Sequence, residues 1–280
     1  MSPLPAGALA AVAAARVTLV LGAPDVGKTT LVTSLAGVLA AAGHAVAVVD
    51  ADLGQSDIGP PTTVGLGRVR RPIDRLAESE LVALEFLGVT SPARCLHATA
   101  EATARLVRRA LALGCDRVLV DTSGLVAGPL GLALKRLKID RVAPDVLVVL
   151  QRGDECEPLL QAVTAGSGRA TIRLAAASTA SRSTAARRQA RRRALHAHLA
   201  GAVPVTLDLA RVTVRPVPAA RGLGVVAGAL VALDGPDGRT LGLGWVRGID
   251  ATAGRLVVST AVEPAGIAAV AIGCERYGAA

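Results

Sequence analysis

Residues 22–30 read Gly-Ala-Pro-Asp-Val-Gly-Lys-Thr-Thr, a complete G-x-x-x-x-G-K-T phosphate-binding loop. The loop follows an apolar run at residues 17–21 and precedes a helix-like run that begins at Lys28. Gly22 and Gly27 allow the backbone to curl, so that successive N–H groups point at phosphate oxygens. The following helix adds the positive end of its dipole. We therefore expect this strand–loop–helix unit to bind a nucleoside triphosphate.

Two side chains of the loop have a predicted role in that binding. Lys28 reaches the β- and γ-phosphates, and the Thr29 hydroxyl helps to hold Mg²⁺. Asp25 is acidic in a loop that receives phosphates, so it either orients a neighbouring group or a substrate hydroxyl, or forms a turn with Pro24. The residues predicted to contact the triphosphate are Gly22, Ala23, Pro24, Asp25, Val26, Gly27, Lys28, Thr29 and Thr30.

The composition limits the kinds of core and partner that the chain can have. Of its 280 residues, 51% are hydrophobic but only 1% are aromatic, so the core must consist of alanine, valine and leucine. The formal net charge is +9, and Lys28, Lys135 and Lys138 are the only lysines among 31 basic residues. An excess of arginine suits a polyanionic partner such as nucleic acid. An arginine-rich coding bias would produce the same net charge and the same number of arginines without such a partner.

The sequence indicates a cytoplasmic protein with no membrane partner. Its four cysteines are far apart and form no C-x-x-C pair, so we expect reduced thiols and neither a zinc site nor a redox motif. The N-terminus lacks the basic region that begins a signal peptide. Residues 29–49 form an uncharged run of membrane-spanning length, but Gly43 and His44 divide it into a helix and a buried strand. No feature points to a particular oligomeric state.

Short apolar runs alternate with helical stretches in the first part of the chain. The runs at 17–21, 45–49, 83–87, 117–120 and 146–150 have the pattern of parallel strands buried on both faces. Helices are predicted between them at 28–42, 98–113 and 129–140, with Gly43 and Gly114 at expected helix ends. This alternation predicts an α/β fold, a P-loop NTPase sheet with helices on both faces, whose ligands bind at the carboxyl ends of the strands.

The pattern changes near residue 203. From there, short Val/Leu segments alternate with turn signals such as Asp-Gly-Pro-Asp-Gly at 234–238. We expect a P-loop α/β domain at residues 1–202 and a small β-rich domain at residues 203–280, which is a compact barrel or sandwich.

Two segments place carboxylates directly after predicted strands. Residues 48–55 read Val-Val-Asp-Ala-Asp-Leu-Gly-Gln, and residues 118–124 read Val-Leu-Val-Asp-Thr-Ser-Gly. Asp52 can hold Mg²⁺ or its water, or accept the proton of an attacking hydroxyl, whereas Asp50 suits a structural role better. Asp121 is expected to fix a water molecule on Mg²⁺.

An arginine-rich segment at residues 178–199 contains no acidic residue. On a helix, Arg187 and Arg191 share a face and Arg182 lies at its start. Such a helix can close as a lid, at about residues 178–200, and stabilise charge on a transferring phosphoryl group. A solvated basic helix face is the structural alternative. A second functional interpretation is that the helix binds a nucleic-acid backbone, and the arginines better placed for this role are Arg188, Arg192 and Arg193.

The phosphate loop, the segment Asp-Ala-Asp-Leu-Gly-Gln-Ser-Asp-Ile-Gly-Pro-Pro-Thr-Thr at 50–63 and the segment Asp-Thr-Ser-Gly-Leu-Val at 121–126 together resemble the polynucleotide 5′-hydroxyl kinase family. The Asp-x-Gly-Gln element is the specific part, because the phosphate loop alone occurs in many NTPases. The resemblance runs from about residue 17 to residue 199. The C-terminal region resembles the small β domain of the shorter prokaryotic members.

The resemblance implies roles for individual residues. Lys28 and Thr29 correspond to the phosphate-loop lysine and the Mg²⁺ ligand, and Asp52 to the carboxylate that activates the nucleic-acid 5′-hydroxyl. The residues implied to lie on the substrate side or to clasp the phosphate loop are Gln55, Thr122 and Gly124. The residues implied to form the arginine lid are Arg182, Arg187 and Arg191.

The sequence therefore predicts an ATP- and Mg²⁺-dependent kinase that phosphorylates the 5′-hydroxyl of RNA or DNA ends. One alternative is a P-loop ATPase switch of the partitioning or metallochaperone type. Such proteins usually carry an additional lysine early in the loop, and residues 22–24 contain none. The other is a nucleotide-binding assembly protein with weakened catalysis, because Leu125 stands where the eukaryotic kinases have an aromatic residue.

Overall fold

A computed structural model describes residues 5–164, 168–176 and 183–278, and its strands form two sheets. The helices in these residues are α1 (Ala6–Ala14), α2 (Lys28–Ala41), α3 (Leu96–Ala112), α4 (Gly128–Val142), α5 (Glu157–Thr164) and α6 (Thr184–His198). The strands of the first sheet are β1 (Val17–Gly22), β2 (Val46–Ala51), β3 (Thr63–Val69), β4 (Glu80–Phe86), β5 (Arg117–Thr122), β6 (Val146–Gln151) and β7 (Ala170–Ala175). Those of the second are β8 (Val203–Asp208), β9 (Thr213–Pro216), β10 (Ala229–Asp234), β11 (Thr240–Asp250), β12 (Arg255–Thr260) and β13 (Ala269–Arg276).

The first sheet has seven strands in the order β4-β3-β2-β5-β1-β6-β7. Strands β2, β5, β1, β6 and β7 pair in parallel, and β3 runs antiparallel to both of its neighbours. Every residue of β1 and β2 is buried, as parallel strands covered on both faces require. These features confirm the α/β fold class.

Helices cover the first sheet on both faces. Helices α1 and α2 pack on one face through Val12, Leu31 and Leu35. Helices α3, α4 and α5 pack on the other face, through side chains that include Leu106 and Ile139. Both layers are aliphatic, so the core is of the Ala/Val/Leu type that the low aromatic content predicts.

The sequence-based expectation was wrong for the segment 83–87. This segment belongs to β4, an edge strand that is largely half-exposed and pairs antiparallel with β3 rather than in parallel. The cause is β3, which was not predicted and which reverses the chain direction between β2 and β4. Helices α1 and α5 and strand β7 were also missed. No helix in the described ranges is both long and apolar enough to cross a membrane.

The C-terminal region forms a six-stranded sheet in the order β8-β12-β11-β10-β13-β9. Its pairs are antiparallel except for β13 and β9. One face carries a core that includes Val231, Val258 and Val270. The opposite face packs Leu230 and Leu243 against neighbouring elements. Within the described residues this region is therefore one sheet with two apolar faces, and not two stacked sheets.

The two sheets meet at the loop that follows β4. Gly88 and Gly273 lie so close that a Cβ on Gly88 would collide with the Gly273 backbone. The N–H groups of Cys274 and Glu275 donate to the Gly88 carbonyl at 2.8 and 3.2 Å. Thr90 donates its N–H and its hydroxyl to Glu275 Oε1, each at 3.1 Å. Strand β13 is thus fastened to the segment 88–90.

The aromatic residues lie where helix α6 meets the second sheet. Trp245 stacks on Tyr277 with ring centroids 4.2 Å apart, and the Tyr277 hydroxyl is 2.8 Å from Nδ1 of His196 on α6. Phe86 packs in the same cluster, as does Leu199 directly after α6. The second sheet therefore supports the C-terminal end of the arginine-rich helix.

Candidate functional site

The phosphate loop connects β1 to α2 and has the backbone conformation that its glycines permit. Gly27 has φ +92° and Asp25 has φ +56°, both in the left-handed region. At Gly22 a Cβ would collide with the carbonyl oxygen of Leu150 on β6, so only glycine fits there. Helix α2 begins at Lys28, which places its N-terminal end at the loop. The loop therefore offers N–H groups and a helix dipole to an anion.

Lys28, Thr29 and Asp121 come together at the start of α2. The Lys28 ammonium donates to the Ala23 carbonyl at 2.7 Å, and the Thr29 hydroxyl donates to Asp121 Oδ2 at 2.6 Å. Burial lowers the pKa of Lys28, against the opposing effect of Asp121. Asp121 is 2% exposed, and its burial raises the pKa to about 6, although the Thr29 hydrogen bond and Lys28 oppose the rise.

Asp50 and Asp121 occupy adjacent positions in the parallel pair β2–β5. The Asp50 carboxylate accepts hydrogen bonds from the N–H groups of Asp52, Asp57 and Ile58 and from the Ser56 hydroxyl, at 2.7 to 3.2 Å. Burial and the neighbouring Asp121 raise its pKa to about 8. Asp50 thus anchors the loop after β2, in line with the structural role expected from its position.

Asp52 lies in that loop, at the carboxyl end of β2. Its Oδ1 accepts from the N–H groups of Gly54 at 3.0 Å and Gln55 at 3.2 Å, which fixes the carboxylate against its own loop. Nη1 of Arg191 lies 3.9 Å from the position that a Cβ would take on Gly54. An arginine of α6 therefore reaches the Asp52 loop. Gln55 lines the same cavity, and its Nε2 is buried without a hydrogen-bond partner.

The segment after β5 lies against the phosphate loop from the opposite side. A Cβ on Gly124 would lie 2.5 Å from N and 2.6 Å from Cα of Pro24, so the two backbones are in direct contact. The Thr122 hydroxyl donates to the Val20 carbonyl at 2.7 Å, which ties β5 to β1. Asp121 Oδ1 and Ser123 Oγ are buried without a hydrogen-bond partner. A carboxylate oxygen and a hydroxyl therefore remain available beside the loop.

Helix α6 closes the site with two of the three predicted lid arginines. Arg187 Nη2 forms an ion pair of 2.5 Å with Asp25 Oδ2 of the phosphate loop. Asp25 thus contacts the arginine helix, a partner that the sequence did not suggest. Arg187 and Arg191 are half-buried, and the arginines on the outer faces of α6 are exposed: Arg188, Arg192 and Arg193. Arg182 lies outside the described residues.

These elements enclose a cavity of about 630 Å³. The predicted site residues that line it are Pro24, Asp25, Gly27, Lys28, Thr29, Thr30, Asp52, Gln55, Thr122, Gly124, Arg187 and Arg191. It is also lined by residues that the sequence did not single out: Ser56, Asp57, Pro61, Thr90, Ala190 and Ala194. Thr90 was missed because it enters from the loop after β4, where no motif marks it.

The oxygen atoms at the base of this cavity suit a small divalent cation. Thr29 and Asp52 line the cavity with a hydroxyl and a carboxylate, the kind of donor that Mg²⁺ prefers. Asp121 does not line the cavity and lies directly behind Thr29, whose hydroxyl donates to its Oδ2. Among the described residues there is no group of three or more acidic, histidine or cysteine side chains that could hold a metal alone. A cation here would complete its coordination with phosphate oxygens and water, as is usual for Mg²⁺ at triphosphates.

Two buried lysines lie behind the cavity and do not line it. Lys135 and Lys138 of α4 are both 0% exposed. Burial lowers the pKa of Lys135 far below its usual range and that of Lys138 to about 8, in the second case against the attraction of Asp52 and Asp50. The sequence carried one signal for them, because lysine is rare in this arginine-rich chain.

Comparison with known proteins identifies relatives of this chain. Residues 22–201 match the family model described as mRNA cleavage and polyadenylation factor CLP1 P-loop. The chain is 38% identical over 164 residues to a polyribonucleotide 5′-hydroxyl-kinase of Thermococcus kodakarensis, an alignment that covers 59% of this chain and 45% of that protein. A protein of the same description from Pyrococcus furiosus is 37% identical over 142 residues, which is 51% of this chain and 40% of the relative. The chain thus spans less than half the length of these curated relatives.

A solved structure shares the fold. A chain of the wild-type Clp1p–Pcf11p complex superimposes with a TM-score of 0.69 and 12% identity, over 93% of this chain and 74% of that one. At this identity the similarity shows the arrangement of helices and strands alone. Because it covers nearly the whole chain, it includes both sheets.

Proposed function

Because the chain belongs to the CLP1 P-loop family, we propose that it is an ATP- and Mg²⁺-dependent kinase that phosphorylates the 5′-hydroxyl of polynucleotide ends, with RNA as the acceptor. One observation carries the proposal: Lys28, Asp52 and Arg191, from three distant parts of the sequence, line one cavity. The printed names of the curated relatives, polyribonucleotide 5′-hydroxyl-kinases, favour RNA over DNA.

The phosphate loop forms the donor side of the proposed site. The loop N–H groups and Lys28 bind the β- and γ-phosphates, and Lys28 exchanges its hydrogen bond to Ala23 for phosphate oxygens. Thr29 and Asp121 would hold Mg²⁺, and the ion would supply charge neutralisation on the donor phosphates.

Asp52 is the proposed general base. It lies at a strand carboxyl end, and its Oδ1 is held by the N–H groups of Gly54 and Gln55. It accepts the proton of the 5′-hydroxyl while that oxygen bonds to the γ-phosphorus and the bond from this phosphorus to the β-phosphate oxygen breaks. The products are a 5′-phosphorylated end and ADP, and the proton then passes from Asp52 to solvent.

The arginines of α6 stabilise the charge that develops during transfer. Arg191 lies beside Gly54 next to Asp52, and Arg187 is held at the phosphate loop by Asp25. Both reach the region between donor and acceptor, where a guanidinium favours the transition state. The exposed arginines on the outer faces of α6 suit the acceptor's phosphate backbone: Arg188, Arg192 and Arg193.

The four cysteines are all free, which suits the cytoplasm as the place of action.

Transfer of labelled γ-phosphate from ATP tests the proposal. The acceptors are matched RNA and DNA oligonucleotides with 5′-hydroxyl ends, and the variants are Asp52→Asn and, as a matched control, Asp74→Asn at an exposed site outside the cavity. We expect transfer by the wild type and by Asp74→Asn, and a loss of about a hundredfold or more in Asp52→Asn.

Two results would overturn the assignment: no transfer by the wild type to either acceptor, or full transfer by Asp52→Asn. ATP hydrolysis that does not respond to oligonucleotide would instead favour an ATPase switch. Tight ATP binding without turnover would favour an assembly protein. Faster transfer to DNA than to RNA would reverse the acceptor preference.

A further inference from the structure

All three lysines of the chain converge on the proposed kinase site, although arginine supplies every other basic residue. Lys28 lies in the phosphate loop. Lys135 and Lys138 lie three residues apart on α4 and are fully buried, and neither lines the cavity. Neither side chain can touch a substrate, so the geometric effect of these two amino groups on the site passes through the groups that they contact.

Each of the two buried lysines contacts a different wall of the cavity. Lys135 donates to the Thr122 hydroxyl at 2.8 Å and to the Ser123 carbonyl at 2.5 Å, in the segment that leads to Gly124. Lys138 donates to the Ala51 carbonyl at 3.1 Å, directly before Asp52. One helix thus fastens the carboxyl ends of β5 and β2.

Burial of two amines beside each other is costly and gives no evident advantage for folding. Lysines are almost never fully buried unless their charge is compensated, and an apolar pair of similar volume is often the more stable choice. Arginine could not take their place, because five N–H donors on a larger planar group would need more partners than these carbonyl and hydroxyl groups. A role in the site explains why compact amino groups occupy these positions.

We propose that Lys135 and Lys138 are positioning residues of the transfer reaction, which set the two walls of the cavity independently. Lys138 holds the peptide before Asp52, so it fixes the carboxylate relative to the acceptor hydroxyl. Lys135 holds the segment that presses on the phosphate loop at Pro24, so it fixes the shape of the donor site. The inference rests on the proposed kinase function, because only in a kinase does one wall of the cavity bind a phosphate donor and the other wall face an acceptor hydroxyl.

The two lysines should then give different kinetic signatures. For Lys138→Met we expect kcat to fall about a hundredfold while the KM for ATP changes less than about twofold, because only the catalytic group is displaced. For Lys135→Met we expect the KM for ATP to rise about tenfold. Lys138→Gln keeps one N–H donor for Ala51 and should recover about tenfold of the lost kcat. If a methionine variant does not fold, the glutamine variant of the same lysine replaces it.

Hydrogen exchange measured by mass spectrometry gives a readout that does not depend on catalysis. Exchange should rise about tenfold in residues 52–58 of Lys138→Met and in residues 122–125 of Lys135→Met, each without a change in the other segment. Ile139→Ala, a core truncation on the same helix, is the matched control. It should lower Tm by a similar amount and leave kcat, KM and both segments within about twofold of wild type.

The outcomes separate the two proposals. If the lysine variants lose activity only in proportion to Tm, as Ile139→Ala would, or if exchange rises uniformly, the positioning roles are overturned. If the wild type transfers no phosphate, the kinase proposal fails. The hydrogen-exchange result still shows whether Lys138 fixes residues 52–58 and Lys135 fixes residues 122–125.

Discussion

Replacement of Gly124 by alanine would push the phosphate loop away from β5. The new Cβ would lie 2.5, 2.6 and 2.7 Å from N, Cα and Cγ of Pro24. The shortest approach is about 0.9 Å less than the 3.4 Å at which ordinary contact begins. Two of the three atoms belong to the backbone, so a rotamer change cannot relieve the overlap, and the loop itself must move.

The size of the effect follows from the cost of overpacking. One additional methyl group in a well-packed site costs about 1–3 kcal/mol. If the loop moves aside, nucleotide binding must restore its shape, and the Kd for ATP rises roughly fivefold to 150-fold. If the loop holds its place, the same free energy appears as a lower stability of the protein.

Isothermal titration with ATP and thermal unfolding measure the two possible losses. Gly7→Ala is the matched control, because a Cβ on Gly7 of α1 meets nothing within 4 Å. We expect it to bind ATP like the wild type. A Gly124→Ala variant with both wild-type affinity and wild-type Tm would refute the contact between the segment after β5 and the phosphate loop.

Three further predictions concern single contacts. The side chains of Arg187 and Asp25 are only 26% and 9% exposed. A double-mutant cycle with Arg187→Gln and Asp25→Asn should therefore give a coupling free energy of about 1 kcal/mol, measured by urea unfolding. If the two variants lower the free energy of unfolding additively, the ion pair does not contribute to stability. Since burial raises the pKa of Asp121 to about 6, kcat/KM should fall as the pH drops through 6, because the protonated acid holds a cation poorly. Because the folded pKa of Asp121 lies above its unfolded value, its contribution to stability is largest below about pH 4 and is lost as the pH rises through 6, so Tm without nucleotide should decrease over this range. Burial raises the pKa of Asp50 as well, to about 8, so an Asp121→Asn variant should lose the fall in kcat/KM but only part of the decrease in Tm. Trp245 is the only tryptophan and stacks on Tyr277, so Tyr277→Ala should shift its fluorescence to the red and lower Tm, whereas Tyr277→Phe should keep the emission maximum.

The parts of the fold and site that could be predicted are those encoded by contiguous residues. The phosphate loop is recognisable from nine consecutive residues, and Asp52 and Asp121 follow closely after apolar runs. Because parallel strands end at the same edge, the convergence of these residues followed without any knowledge of long-range contacts. The resemblance to polynucleotide 5′-hydroxyl kinases, stated from the same segments, is confirmed by the family match. The individual residue roles stay predictions.

Strand β3 could not be predicted, for a physical reason. A Cβ on Gly65 would collide with the Ile58 carbonyl, and a Cβ on Gly67 would collide with the Ser79 side chain. Neighbouring loops cover this strand so closely that it requires glycines, and glycines remove the Val/Ile pattern that marks a strand. Lys138 was missed because its partner Ala51 is 87 residues away in the sequence.

The division at residues 202 and 203, which we propose as a domain boundary, would be difficult to use for building chimaeras. Thr90 donates to Glu275 on β13, and the Thr90 carbonyl lies 2.9 Å from the position that a Cβ would take on Gly54. Exchange of the C-terminal sheet for that of a relative would therefore disturb the acceptor wall unless Gly273 and Glu275 were carried along. The two sheets are structurally interdependent, and their interface residues must be transplanted together.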